Sequence, residues 1–223
     1  MIGYRAPERV YEDAEITIDA LLGLGSMGNN VYLLRPASGG PVLVVDAPEG
    51  SEATIEALGS TEVSAVVLTH SHRDHWAGHE ALRGRAGVPI SVSTHEVNLD
   101  AVAASGPLTR LDDGAELEVG SARVQVIHTP GHTPGSICLL ANGALITGDT
   151  LFPGGPGYSR DHAALLQEIL SITGRLFVLP DETLVLPGHG PGTTIGASRA
   201  EHAAFAARQH APDLHGDVLW ASS

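Results

Sequence analysis

The chain has 223 residues, with 26 acidic against 12 basic side chains and a formal net charge of −14. That balance argues against a nucleic-acid partner, whose phosphates are met by clustered Lys and Arg, and against an anionic membrane surface. All 12 basic residues are Arg, which excludes Schiff bases and every other mechanism that needs a lysine amine.

With no long linker or low-complexity tract in view, residues 1–223 read as one domain. Aromatics are only 4% of the chain, so its core must be aliphatic. Cys138 is the single cysteine, which rules out an intramolecular disulfide. It lies in the apolar run Ile137–Leu140 and reads as a buried structural thiol. The segment Met1–Glu15 lacks the apolar stretch of a secretory leader, and no run nears the ~18 apolar residues of a membrane span. The expectation is a cytoplasmic protein.

In chain order, Ile16–Leu22, Asn30–Leu34 and Val42–Asp46 read as strands separated by Gly and Pro clusters. Ser51–Leu58 reads as a short helix with Ser51 as its N-cap. Val63–Thr69 is a β-branched, apolar strand, Asp74–Arg83 has helical composition, and Ile90–Thr94 is again a strand. Asp112-Asp113-Gly114 is a turn signal ahead of a hairpin from Glu116–Val119 and Arg123–His128. Asn142-Gly143 predicts a two-residue turn between strands Ile137–Leu140 and Ala144–Thr147. An amphipathic helix over His162–Ile172, a strand over Thr183–Leu186 and a terminal helix over Glu201–His210 complete the pattern. Helices and strands do not alternate strictly, so a plain doubly wound sheet is not expected.

Four segments share one plan. A short apolar strand runs into a loop carrying His or Asp: at His70-Ser71-His72-Arg73-Asp74-His75, at Thr129-Pro130-Gly131-His132, at Gly148-Asp149 and at Pro187-Gly188-His189. Side chains delivered from strand ends onto one rim can converge on a point. Imidazole and carboxylate are ligands for Zn, Fe or Mn. The seven groups His70, His72, Asp74, His75, His132, Asp149 and His189 exceed what one tetrahedral ion needs, and they suit two divalent ions sharing a carboxylate. A lone histidine at a strand end is ordinarily a hydrogen-bonded polar residue, but solvated loops rarely hold three His and an Asp within six residues. His79, His95, His162, His202, His210 and His215 are read as such ordinary residues. So is His128, although its nearness to His132 would also let it support a ligand.

These motifs, together with Thr133-Pro134-Gly135 after His132 and Thr150-Leu151-Phe152 after Asp149, resemble the metallo-β-lactamase superfamily from about Leu22 to Ala200. The resemblance is closest to glyoxalase II-like (hydroxyacylglutathione hydrolase-like) thioester hydrolases. It implies a four-layer αββα sandwich of the α/β (α+β) class with a dinuclear site at its edge. His70, His72 and His132 would hold one ion, Asp74, His75 and His189 the other, and Asp149 would bridge them, with Zn the expected metal. A water shared by two cations is acidified toward neutrality and would serve as the nucleophile, with Asp74 orienting it as the catalytic carboxylate. The substrate would be a small acyl thioester or ester. Tyr158 and Arg160, in the loop after Asp149, are candidate substrate contacts. The sequence departs from glyoxalase II in two places. Only about 30 residues follow His189, and Gly154–Arg160 replaces a Gly-Arg element often found there. The chemistry therefore carries over better than the substrate. Two other readings stay open: a mononuclear-iron persulfide dioxygenase using His70, His132 and Asp149, and a lactonase or non-catalytic metal-binding module. Oligomeric state is not legible.

Overall fold

The computed structural model describes residues 6–83, 89–97, 99–104 and 107–223. Residues 1–5 of the N-terminal segment considered above lie outside this set. The first half of the chain comprises β1 (Glu8–Glu12), β2 (Ile16–Leu24), β3 (Asn29–Pro36), β4 (Val42–Val45), α1 (Glu52–Leu58), β5 (Val63–Val67), a 3-10 turn (Arg73–His75), α2 (His79–Arg83), β6 (Ile90–Ser93), α3 (Asp100–Ala104) and β7 (Leu108–Leu111). The second half comprises β8 (Glu116–Val119), β9 (Ala122–His128), β10 (Ile137–Ala141), β11 (Ala144–Gly148), the small pair β12 (Leu151–Phe152) and β13 (Gly155–Pro156), α4 (His162–Ser171), β14 (Leu184–Pro187), β15 (Thr193–Thr194) and α5 (Ile195–Ala206).

Two mixed sheets result. One runs β1 to β7 in sequence order and the other β15-β14-β11-β10-β9-β8. The pairs from β4 to β7, and β11 with β14, are parallel. The central strands β3, β4, β10 and β11 are buried on both faces and read as nearly continuous apolar runs, whereas the edge strands β1, β7 and β8 keep polar, exposed residues. Side-chain alternation sorts those runs into three cores. Ile16, Ile18, Tyr32, Leu34, Leu43 and Val45 meet Val124, Val126, Leu139 and Ile146 between the sheets. Leu33, Val44 and Val66 face outward against Leu58 of α1 and Leu82 of α2. Cys138, Leu145 and Val185 face the opposite way against Leu165 of α4 and Phe205 of α5. Helices, sheet, sheet and helices are thus stacked in the αββα order.

The expected strands are present to within a few residues, and Asn142 takes a left-handed φ of 50° in the turn between β10 and β11. Other local readings change. Ser51 precedes α1 but caps nothing; its hydroxyl donates to the Pro48 carbonyl at 2.7 Å. Asp74–Arg83 is not one helix. A 3-10 turn is followed by a break at Trp76, whose indole N–H donates to the Ser71 carbonyl at 3.0 Å, and α2 starts only at His79. The last helix begins six residues before Glu201, at Ile195, where the Thr194 hydroxyl accepts from the Ala197 N–H, and it ends at Ala206. The helix over His162–Ser171 continues into a single π turn at Ile172–Leu176. β1 and β7 went unread because they are short and rich in polar residues.

Candidate metal centre

β5, β9, β11 and β14 all point their C-terminal ends at one rim of the sandwich, and each of the four loops expected to carry ligands leaves from one of them. Close approach of these loops needs glycine. A Cβ on Gly188 would lie 2.4 Å from Asp149 Oδ1 and 2.8 Å from the His75 ring.

All seven sequence-predicted groups meet there. His70, His72 and His132 form one set, His70, His75 and Asp149 a second, and Asp74, His75 and His189 a third, each with its donor atoms within 4.8 Å of one another. His132 Nε2 is 2.9 Å from His72 Nδ1, and His75 Nε2 is 3.2 Å from His189 Nε2. His75 Nε2 is 3.4 Å from both Asp74 Oδ2 and Asp149 Oδ1. Asp149 Oδ2 lies 3.5 Å from His189 Nε2 and 3.7 Å from His132 Nε2.

In three of the histidines the other ring nitrogen faces an oxygen. His75 Nδ1 faces Asp46 Oδ2 at 2.8 Å, His132 Nδ1 faces the Tyr158 carbonyl at 2.8 Å, and His189 Nδ1 faces the Met27 carbonyl at 3.0 Å. An acceptor at Nδ1 keeps the proton there and leaves the Nε2 lone pair aimed at the centre. Asp46 is itself fixed by the Thr69 N–H and hydroxyl, at 2.8 and 2.9 Å. It sits just beyond β4 at a left-handed φ of 63°, a strained conformation of the kind that concentrates at functional sites. Asn29 donates to Asp74 Oδ2 at 3.0 Å.

The electrostatics are those of a crowded ligand set. Burial holds His70 well below the ordinary imidazole range, and the neighbouring His75 adds to the effect. Burial also acts to lower His75, but Asp46 and Asp149 outweigh it and raise the group well above its usual value. His189 is likewise raised, to about 9, by Asp149 and Asp74 against its burial. Burial would raise the Asp149 carboxyl, yet contacts from His189 and His75 hold it well below the carboxylate range.

The donors fit a divalent cation. His70 Nε2 and Asp149 Oδ1 are buried with no hydrogen-bond partner among the described residues, and such orphans cost roughly 1–3 kcal/mol each unless satisfied. Ligand atoms around a tetrahedral zinc stand about 3.4 Å apart, and most of the separations above lie within a few tenths of that spacing. The neutral-imidazole and carboxylate donor set suits Zn, Fe or Mn.

Behind the His132 loop, Glu168 of α4 is fully buried and accepts the Gly157 N–H at 3.1 Å. Burial pushes its carboxyl up to about 9, so it is neutral at pH 7. Cys138 is fully buried too, and burial pushes its thiol up to about 12.

The two substrate candidates separate. Tyr158 lines a cleft beside the centre, whereas Arg160 lines a different depression and pairs with Asp161 at 3.2 Å. His128 contacts no ligand; its ring stacks on His95 and faces the Pro134 carbonyl. Asp46, Asn29 and Glu168 were not read from the sequence. Asp46 had a signal, since it too is an acid at the end of an apolar strand. Asn29 and Glu168 had none.

The family model described as the metallo-beta-lactamase superfamily matches residues 24–189. A hydroxyacylglutathione hydrolase of Alkalilimnicola ehrlichii is 37% identical over 141 residues, which is 63% of this chain and 52% of that protein. Among solved structures, ETHE1 from Myxococcus xanthus superposes with a TM-score of 0.71 at 28% identity, covering 86% of this chain and 85% of its own. A di-iron-bound form of TTHA1623 does so with a TM-score of 0.68 at 29% identity, covering 81% of this chain and 96% of its own.

Proposed function

The chain belongs to the metallo-beta-lactamase superfamily, and we propose that within it the protein is a dinuclear metallo-hydrolase of a thioester or related acyl ester, acting as one domain over residues 1–223. In this reading His70, His72 and His132 hold one ion, Asp74, His75 and His189 hold the other, and Asp149 lies between them. The observation that carries the reading is the position of Asp149. Its carboxylate lies against His132 of the first proposed set and against His75 and His189 of the second, and Oδ1 is buried without a hydrogen bond among the described residues. Zinc is the metal we favour, and the relative in its di-iron form makes iron the one to test against it.

When bound, a pair of divalent ions supplies Lewis acidity to the carbonyl and a water deprotonated near neutral pH. The protein's own groups do the rest. Asp74 Oδ2, fixed by the Asn29 amide, would orient the attacking water by accepting a hydrogen bond from it. Asp46, Tyr158 and Met27 keep three histidines in the ligating tautomer. No side-chain nucleophile is needed, which agrees with the inert, buried Cys138. A small-molecule substrate is expected, as is a cytoplasmic location. No described helix is long and apolar enough to cross a membrane.

The likeness to ETHE1 favours a second reading, a mononuclear-iron persulfide dioxygenase on His70, His132 and Asp149. Metal analysis combined with turnover separates the two. Two zinc ions per chain with thioester hydrolysis supports the hydrolase. One iron per chain with oxygen consumed on a persulfide overturns it, and turnover of lactones alone would move the substrate class.

A further inference from the structure

A cleft of about 390 Å³ opens beside the metal centre, with His132, Asp149 and His189 at its inner end. One wall is the β12–β13 hairpin, with Phe152 at its base and Tyr158 just beyond it. Met27, from the loop between β2 and β3, stands on the rim. The C-terminal strap Asp217-Val218-Leu219 lies alongside this hairpin and also lines the cleft.

The strap is fixed at both ends. Gly216 and Ser159 exchange backbone hydrogen bonds of 2.9 and 3.1 Å, and the Trp220 N–H donates to the Gly154 carbonyl at 2.8 Å. Trp220 is 1% exposed and anchors the strap in the core beneath α5. The strap runs so near the hairpin that a Cβ on Gly155 would stand 2.3 Å from the Val218 carbonyl oxygen.

Met27, Tyr158 and Leu219 are 65%, 53% and 54% exposed, so three large apolar side chains spend much of their surface in water around one opening. No Arg lies among the described lining residues, and the chain has no Lys; Asp217 adds a negative charge to the wall. Such a lining gains from burying an apolar group and repels an anion held away from the metals.

We propose that this cleft binds an uncharged, apolar arm of the substrate next to the scissile carbonyl, and that Leu219 of the C-terminal strap is a specificity-determining residue for it. The proposal rests on the hydrolase reading above and names its substrate class. Anionic carriers such as glutathione are disfavoured in this cleft, and short neutral thioesters with extended acyl chains are preferred.

The test uses the zinc-loaded protein and two readouts. The first is kcat/KM for acetyl and hexanoyl thioesters of N-acetylcysteamine, a neutral carrier, and for the hexanoyl thioester of glutathione. The second is calorimetric binding of the non-hydrolysable thioethers N-acetyl-S-ethylcysteamine and N-acetyl-S-hexylcysteamine. The longer arm should raise both kcat/KM and affinity by about tenfold or more, and the hexanoyl thioester of glutathione should be turned over less efficiently than that of N-acetylcysteamine. Leu219 is exposed, so Leu219→Asp leaves the core intact and should abolish the chain-length preference, while Leu219→Met should keep it. Equal binding of the two thioethers, or a preference unaltered in Leu219→Asp, overturns the proposal whether or not thioesters are turned over. Length-dependent, Leu219-dependent binding without hydrolysis would uphold the cleft and overturn the reaction instead.

Discussion

Asp46→Asn changes one atom of a residue that touches no proposed metal, and should still impair one of the two proposed ion sites. Asp46 Oδ1 accepts the Thr69 N–H at 2.8 Å, and an Asn carbonyl can keep that bond. Asn also tolerates the left-handed φ of 63°, so the backbone has no reason to move. The altered atom is Oδ2, which faces His75 Nδ1 at 2.8 Å. An amide N–H there must meet a bare Nδ1, which drives the ring proton to Nε2, the nitrogen that faces Asp74, Asp149 and His189. A protonated Nε2 cannot ligate. Partners of this kind are worth about 10–100-fold in metal affinity, or roughly 1.4–2.7 kcal/mol. Competition against a chromophoric chelator at pH 7.5 should show the Asp74/His75/His189 ion weakened by that factor and the His70/His72/His132 ion nearly unchanged. A folded Asp46→Asn protein whose two ions both keep their affinity within about twofold would refute the tautomer argument.

Three further outcomes are expected. Stripping metal by chelation should lower Tm, because ions bound only by the folded chain add stability; scanning calorimetry of protein verified as metal-free checks this, and an unchanged Tm would contradict it. Cys138→Ser should leave kcat within about tenfold, or ~1.4 kcal/mol, since the thiol is buried and raised to about 12; total loss in folded, metal-loaded protein would point to a thiol mechanism. Glu168 is held near 9 against an unfolded value of 4.5. The unfolded chain therefore ionises first, and the native state loses stability as pH climbs from 4.5 towards 9. Glu168→Gln removes that loss, so its stability relative to wild type should rise by about 2–3 kcal/mol between roughly pH 6 and 8, read from urea midpoints; a pH-independent difference would sink the assignment.

The ligand loops were legible because each follows a short apolar run and carries residue types that loops seldom concentrate. Their convergence was legible too, since four such strands delivering side chains from their ends onto one rim can meet at a point. Asp46 escaped because it was counted as the last residue of its strand rather than as the acid after it. The break at Trp76 is tertiary. Composition favours helix across Asp74–Arg83, but the 3-10 turn that aims Asp74 and His75 inward ends at an indole tied back to Ser71. The strap at Asp217–Leu219 had no local signature, because its place depends on a bridge between Ser159 and Gly216, residues 57 positions apart in sequence.

Each of the three donor sets takes two residues from the first sheet's half of the chain and one from the second: His132, Asp149 or His189. During synthesis, a ribosome that has completed only the first sheet has made two-thirds of every set and the whole of none. An ion held by only two protein groups and water exchanges easily, so premature capture of the wrong metal would be weak and reversible. Under the proposed assignment the first set is complete at His132 and the last only at His189, some 114 residues after His75. The centre would thus act as a clasp between two halves, closed only when the loop carrying His189 has joined the loops of the first sheet.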